Sequence, residues 1–218
     1  LPMSKLIGIT ESAPDDWKLT SLGWIFSIAI VFLGLAAAFG GTWLDRVGPR
    51  KAMVAAAACF GGGFLVGAAG ISTHQLWLVY LGYGVLGGIG LGLGYISPVK
   101  TLITWFPDRP GMATGMAIMG FGGGAFVASP LSVMLMKHFS TETHIGVAET
   151  FMVLGVVYFI VMMIGAMLVR VPAEGWKPEG WEPAPAKGGE KSVDDLAITS
   201  GEMLKTPQYF MILLTFMF

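Results

Sequence analysis

The fold of this 218-residue chain is decided by stretches such as residues 76–99, which read LWLVYLGYGVLGGIGLGLGYISPV and contain no charged side chain. A helix needs about 20 mostly apolar residues to cross the hydrocarbon core of a bilayer, which is roughly 30 Å thick. Uncharged stretches that satisfy this rule are residues 22–44, 53–71, 76–99, 112–136 and 150–169, and a sixth apolar run begins near Tyr209. The sequence therefore predicts an all-α membrane protein built as a helical bundle.

The composition excludes several classes of function. Only 12% of the residues are charged, against roughly 25% in soluble domains, and the formal net charge of −1 offers no basic surface for nucleic acid. The lone Cys59 has no second thiol for a disulfide or a metal site. No arrangement of nucleophile, base and oxyanion donor is recognisable. We therefore expect no enzyme, no cofactor, no metal and no nucleic-acid partner.

The distribution of Lys and Arg predicts the topology, because cytoplasmic loops carry the excess. If the loop after the first span is cytoplasmic, that side holds 10 of the 13 basic residues, namely Arg46, Arg50, Lys51, Lys100, Arg109, Arg170, Lys177, Lys187, Lys191 and Lys205. The chain begins at Leu1 without a signal peptide and ends inside the sixth run. We expect it to be a piece of a longer protein, with one more span before Leu1.

Three regions follow from this organisation: a bundle at residues 1–171, a cytoplasmic linker at 172–206 and the start of a second bundle at 207–218. The linker is rich in Pro, Gly, Glu and Lys and repeats EGWKP (174–178) as EGWEP (179–183). Its tryptophans, Trp176 and Trp181, either rest at the lipid headgroups or are exposed to solvent. Thr206-Pro207 has the residue types of an N-cap followed by the first position of a helix.

The predicted spans contain glycines spaced four residues apart. Small residues at this spacing share one face of a helix and let two backbones approach closely. Close packing is the first interpretation of this pattern, and sliding or bending of helices is the second. The glycines concerned are Gly63 and Gly67, Gly84, Gly88 and Gly92, Gly90 and Gly94, Gly111 and Gly115, and Gly120 and Gly124.

The loop after the first span, residues 41–51, reads GTWLDRVGPRK. By itself it is consistent with ordinary loop charge that sets topology. It also resembles the major facilitator superfamily signature G-x-x-x-D-R-x-G-x-R-K, which is matched by Gly41, Asp45, Arg46, Gly48, Arg50 and Lys51. The resemblance implies that the five spans are helices two to six, and that this loop holds the outward-open state by contacting the opposite half of a transporter.

Residues 105–120, WFPDRPGMATGMAIMG, resemble the entry to helix five in monocarboxylate transporters and oxalate/formate antiporters. The matching residues are Trp105, Phe106, Asp108, Arg109, Gly115 and Gly120, and the match is partial where the family has a second basic residue, at Pro110 or Gly111. From the residue types, we expect Asp108 to cap the new helix and Pro110 to lie in its first turn. Residues 200–208 are similar to the lead into helix seven of the oxalate/formate branch.

Tyr95 is the candidate substrate contact. Its hydroxyl needs a partner if it faces inward, and the resemblance aligns it with a tyrosine that contacts the carboxylate substrate; a packed core tyrosine is the alternative. Lys100 is interpreted as a lysine whose head reaches the membrane surface. No charged residue lies near the middle of a span, and the resemblance implies that the substrate-binding cations lie on helices eight and eleven, beyond Phe218.

These patterns together predict a secondary transporter of small organic anions, such as oxalate, formate or lactate-like monocarboxylates, that works by alternating access. A coupled proton or counter-anion and the surrounding lipid are its other expected partners. We expect a multi-pass protein of the plasma (inner) membrane of a prokaryote. The alternatives are a major facilitator transporter of another solute class, a sugar or another organic anion, and a non-transporting membrane subunit.

Overall fold

The structure, a computed structural model, describes residues 2–8, 11, 13–173, 176–178, 206, 207 and 211. The chain divides into two compact units, Leu1–Pro178 and Glu179–Phe218. The second copy of the linker repeat with Trp181, the motif at 200–205 and most of the predicted second-bundle start lie outside the described residues. In the second unit Thr206 is not helical and Pro207 is, in agreement with the expected N-cap and first helical position.

The first unit contains five long helices, α1 (Leu19–Val47), α2 (Pro49–Ser72), α3 (Leu76–Trp105), α4 (Pro110–Phe139) and α5 (Val147–Leu168). The five predicted spans and the all-α fold are confirmed, and no strand occurs among the described residues. Most of the helices extend beyond the uncharged stretches, because the polar and charged residues that flank each stretch continue the helix. The end of the bundle that carries residues 41–51 is the predicted cytoplasmic end.

Helix α3 packs against both α1 and α2, and α2 also packs along α5. Glycine makes the two α3 interfaces possible. A Cβ atom on Gly63 of α2 would lie 2.6 Å from the Gly82 carbonyl oxygen of α3, and a Cβ atom on Gly88 would lie 2.6 Å from the Ala29 carbonyl oxygen of α1. No side chain fits between backbones at these distances, so the predicted role of glycine in close packing is confirmed for α2 and α3.

Helix α4 is packed differently. Among its described residues only Ala113 is buried. Apart from the adjacent residues and the backbone of α4 itself, no described atom lies within 4 Å of the position that a Cβ atom would take on Gly111, Gly115, Gly120, Gly122, Gly123 or Gly124. Within this unit, the prediction that the Gly111–Gly115 and Gly120–Gly124 pairs pack against a neighbouring helix is therefore wrong, because α4 is exposed on most of its circumference. At about 100° per residue the two pairs point to opposite sides of the helix. We call these six residues the unpacked glycines of α4.

Helix α3 is interrupted by a π-helical segment, Tyr80–Gly87, that the sequence analysis did not predict. A π turn bonds each residue to the fifth one along, so it is wider than an α turn and is rare in long runs. Gly82, Gly84 and Gly87 are buried in this segment. At its start, the Tyr80 hydroxyl donates a hydrogen bond of 2.8 Å to the Ser21 carbonyl of α1. Within the segment, Gly82 is in close contact with α2 and Gly84 with α1.

The described residues before α1 form a cap at the opposite, predicted external end. The Asp16 carboxylate accepts backbone N–H bonds from Ile7 at 2.8 Å, Gly8 at 3.0 Å and Ala13 at 2.8 Å. Burial opposes ionisation of this carboxyl, but the three backbone N–H groups outweigh it and, with nearby His74, hold the pKa of Asp16 below its ordinary value of 3.8. The ionised Asp16 side chain therefore fastens the cap to the start of α1.

Candidate functional site

The turn between α1 and α2 is reduced to one residue, Gly48. Its backbone has φ 82° and ψ 158°, a left-handed conformation that glycine adopts without steric penalty. The Gly48 N–H bonds the Leu44 carbonyl at 2.9 Å, and Pro49 opens α2. The turn places Asp45 at the end of α1 and Arg50 at the start of α2, on the same end of the bundle.

Asp45 forms an ion pair with Lys100 of α3. The two side chains are 54% and 56% exposed, so the pair lies at the surface rather than in the core. The interpretation of Lys100 as a lysine that only reaches toward the membrane surface is incomplete. Alternate helices of an antiparallel bundle run parallel, so the carboxyl ends of α1 and α3 meet at the same level. In the sequence, the only indication of this contact is that opposite charges stand at the ends of two alternate spans.

Arg50 reaches a different helix. Its Nη2 atom donates a hydrogen bond of 2.8 Å to the Met167 carbonyl in the last turn of α5. The last carbonyls of a helix lack partners within it and carry partial negative charge, so a guanidinium is favourable there. Through Asp45 and Arg50, the loop is thus connected to both α3 and α5.

The remaining loop residues make no such contact in the part of the chain that the structure describes. Gly41 lies in α1 with open space beside it. Arg46 and Lys51 are exposed and form no ion pair with a described residue. We call the ion pair of Asp45 with Lys100 and the hydrogen bond of Arg50 with Met167 the loop latch.

The motif at residues 105–120 spans the end of α3 and the start of α4. Trp105 is the last residue of α3, Phe106 follows it, and α4 begins at Pro110, as expected. The expected cap by Asp108 is wrong: Arg109 occupies the N-cap position and α4 has no side-chain cap bond. The Asp108 carboxylate instead contacts the Arg109 Nε at 3.2 Å, because the guanidinium next to it is a stronger partner than the helix N–H groups.

Tyr95 lies on α3, two residues before Ser97. Its half-buried ring meets Phe121 of α4 edge to face, with 5.6 Å between ring centroids and 76° between planes. Its hydroxyl forms no hydrogen bond with another described residue. Ser97 is fully buried and its hydroxyl donates to the Leu93 carbonyl at 2.8 Å, which is a packing role. Only the Tyr95 hydroxyl is therefore left available to a ligand at this level of α3.

A cavity of about 580 Å³ is lined by α1, α4 and α5, and also by Phe64 of α2 and by Val79 and Tyr83 of α3. None of its residues was predicted as a site from the sequence, since isolated hydroxyl groups within apolar spans give no distinctive pattern. No charged side chain is among its lining residues, and neither is Tyr95, so these residues alone do not compensate the charge of an anion. The hydroxyl groups that line it belong to Tyr83, Ser129, Ser132, Thr150 and Tyr158.

Comparison with known proteins supplies the context for these contacts. Residues 3–218 match the family model described as Major Facilitator Superfamily. The chain is 28% identical over 186 residues to the apicoplast pyruvate carrier 1 of Toxoplasma gondii, which covers 74% of this chain and 34% of that protein. It is 28% identical over 197 residues to the oxalate:formate antiporter of Oxalobacter formigenes, covering 89% of this chain and 42% of that one.

A third relative is monocarboxylate transporter 12 of Mus musculus, 29% identical over 126 residues, with 57% of this chain and 25% of that protein covered. The chain thus spans less than half the length of these three relatives.

Proposed function

Because this chain belongs to the major facilitator superfamily, we propose that the whole protein moves a small carboxylate across a membrane by alternating access between two helical bundles. The chain is an integral, multi-pass membrane protein with five apolar helices in its described part. The substrate class is taken from the relatives, whose names specify pyruvate, oxalate and formate, and monocarboxylates. All of these are small organic anions. The proposed location is the plasma (inner) membrane of a prokaryote, which cell fractionation tests.

The observation that carries the mechanism is the loop latch. In alternating access, the helix ends at one face of the membrane must close and open together. The latch connects four helix ends directly, those of α1 and α3 through Asp45–Lys100 and those of α2 and α5 through Arg50–Met167. An exposed ion pair contributes only about 0–1 kcal/mol, so the Asp45–Lys100 contact is weak enough to break and form again in every cycle.

Arg46 and Lys51 extend from the same loop into solvent and are available to a second bundle. The exposed surface of α4, which carries the unpacked glycines and large apolar side chains such as Met119 and Phe126, is the second surface that we assign to such a bundle. Small residues spaced four apart let two helices approach closely. The latch and the exposed surface of α4 are on this basis the moving contacts of the transporter.

We propose Tyr95 as a substrate contact. A carboxylate is a strong acceptor of hydrogen bonds, and a hydroxyl donor held beside the α3–α4 contact suits it. The described helices carry no Lys or Arg near the middle of a span, and Lys100 is paired with Asp45. The positive charge that an anion needs in the membrane must then come from another part of the whole protein.

Uptake by proteoliposomes that contain the full-length protein tests this function. Labelled oxalate, formate, lactate and pyruvate are supplied outside, with glucose as the uncharged comparison. We expect uptake of at least one carboxylate and none of glucose. Preloading with unlabelled carboxylate separates exchange from proton coupling, because exchange needs internal substrate and proton coupling needs a pH gradient. Indifference to every carboxylate contradicts the proposal, and glucose uptake assigns the protein to another solute class.

A further inference from the structure

Trp105, the last residue of α3, is held from two directions. Its indole Nε1 donates a hydrogen bond of 2.8 Å to the Arg170 carbonyl, just beyond the end of α5 at Leu168. Its ring also meets the ring of Trp176, with 5.1 Å between the centroids and 66° between the planes. This is the edge-to-face arrangement that aromatic pairs favour. One indole therefore joins the end of α3 to the exit from α5 and to the linker.

The chain between these two contacts folds back on itself. The Trp176 N–H donates to the Ala173 carbonyl at 3.0 Å, which closes a turn of four residues. Pro172 precedes this turn and Pro178 follows it, and each restricts the backbone on its side. The described residues 170–173 and 176–178 thus form a short loop that is held on Trp105. We call it the docked loop.

The sequence left two locations open for Trp176, the lipid headgroups and solvent, and the structure adds a contact that neither specifies. The side chain is 39% exposed, and its ring is seated on the ring of Trp105. The first copy of the EGWKP repeat therefore has a partner within the bundle. That partner, Trp105, belongs to the motif that resembles the helix-five entry of the carboxylate branch.

The same end of α3 carries the partner of the loop latch. Lys100 lies five residues before Trp105, which is about one and a half helical turns. A displacement of Trp105 along or across the helix axis is therefore passed to Lys100, and through Lys100 to Asp45. The docked loop and the loop latch are mechanically connected through the last turns of α3.

We propose that the docked loop anchors the linker to α3, and that Trp176 is a positioning residue that holds the α3 end where Lys100 meets Asp45. Movement of the linker then acts on the latch. The inference rests on the proposed function in one respect, namely that the latch is part of the transport cycle. The anchoring itself does not depend on transport.

Hydrogen exchange of the full-length protein in lipid nanodiscs tests the anchoring. The Trp176 amide reports the docked loop, and Trp105→Ala removes both contacts without changing the sequence of the loop. We expect this amide to exchange about 2- to 12-fold faster in Trp105→Ala, the range that loss of an aromatic pair supports. Trp105→Phe keeps a ring for Trp176 and should give the smaller increase.

Trp181→Ala is the matched control, because Trp181 has the equivalent place in the second copy of the repeat. It should leave the Trp176 amide unchanged. An unchanged amide in Trp105→Ala, or an equal increase in Trp181→Ala, overturns the anchoring. If Trp105→Ala fails to fold, Trp176→Ala provides the same test through the backbone amide of residue 176, which bonds the Ala173 carbonyl, since Trp176 lies outside the helices.

Transport by the same proteins tests the connection to the latch. We expect Trp176→Ala to lower turnover about 2- to 12-fold with little change in KM, and Trp176→Phe to restore most of the rate. Faster exchange with unchanged turnover in Trp176→Ala overturns the positioning role. A wild-type protein that moves no carboxylate refutes the proposed function, whereas hydrogen exchange still decides whether the loop is docked.

Discussion

A single methyl group on Gly63 should destabilise the bundle, whereas the same group on the neighbouring Gly62 should not. A Cβ atom on Gly63 would lie 2.6 Å from the Gly82 carbonyl oxygen and 2.8 Å from the Gly87 N, both backbone atoms of α3. A Cβ atom on Gly62 would have no atom within 4 Å. The two glycines occupy the same helix, so their intrinsic helix propensities cancel in the comparison.

The expected magnitude follows from two opposing terms. Overpacking a close contact costs about 1–3 kcal/mol, and the upper part of that range applies because the obstacle is backbone rather than a flexible side chain. Replacing glycine by alanine in a helix gains up to about 1 kcal/mol at either position. Gly63→Ala should therefore lower the free energy of unfolding by about 1–2 kcal/mol, and Gly62→Ala should raise it slightly.

Thermal unfolding of the purified full-length protein in detergent measures this difference. One kcal/mol corresponds to about 2–4 °C in Tm for 150–250 residues and to about half of that in a protein twice as long, as the relatives are. Gly63→Ala should therefore melt about 1–4 °C below the wild type. Because membrane proteins often unfold irreversibly, the variants must be heated at one scan rate. Equal melting temperatures for Gly62→Ala and Gly63→Ala would refute the contact between the α2 and α3 backbones.

Three further predictions concern the latch, the substrate contact and the external cap. Asp45→Asn should slow turnover more than it weakens substrate binding. Exchanging the charges of Asp45 and Lys100 should restore part of the turnover rate. Lost substrate binding with normal turnover contradicts the latch. Tyr95→Phe should raise the Kd for carboxylate about tenfold or more, the effect of losing a hydrogen bond to a charged group, whereas Tyr158→Phe, in the uncharged cavity, should leave the Kd unchanged. Because the pKa of Asp16 is depressed, the stabilisation that its carboxylate provides is fully present above the ordinary pKa of 3.8 and is lost as the pH falls through the lower native pKa. The wild type should therefore melt at a higher temperature than Asp16→Asn near neutral pH and at the same temperature in strong acid. A constant difference in Tm at all pH values contradicts this assignment.

The five spans could be predicted because the bilayer makes a simple physical demand, about 20 apolar residues in a row. The turn at Gly48 was predictable for a similar reason, since a reversal of one residue between two helices requires a left-handed backbone conformation. Both features depend on residues close together in sequence.

The contacts between helices were predicted less well. Lys100 pairs with Asp45, 55 residues away. Opposite charges at the ends of two alternate spans are compatible with this pair, but the local pattern around either residue does not specify its partner. Asp108 was expected at a cap, but its choice between helix N–H groups and a guanidinium depends on local geometry. The glycine spacing in α4 is similar to that in α2 and α3, yet only the latter two are close to a neighbour in this unit.

The π-helical segment Tyr80–Gly87 has a consequence for how α3 should be mapped experimentally. Each residue in such a segment advances the helix by a smaller rotation than in an α-helix. Side chains after Gly87 consequently fall out of phase with those before Tyr80. A cysteine-accessibility scan plotted on one helical wheel for the whole of α3 would assign Tyr95 to the wrong side. Two wheels, one on either side of the segment, are needed to identify the residues that line the aqueous path.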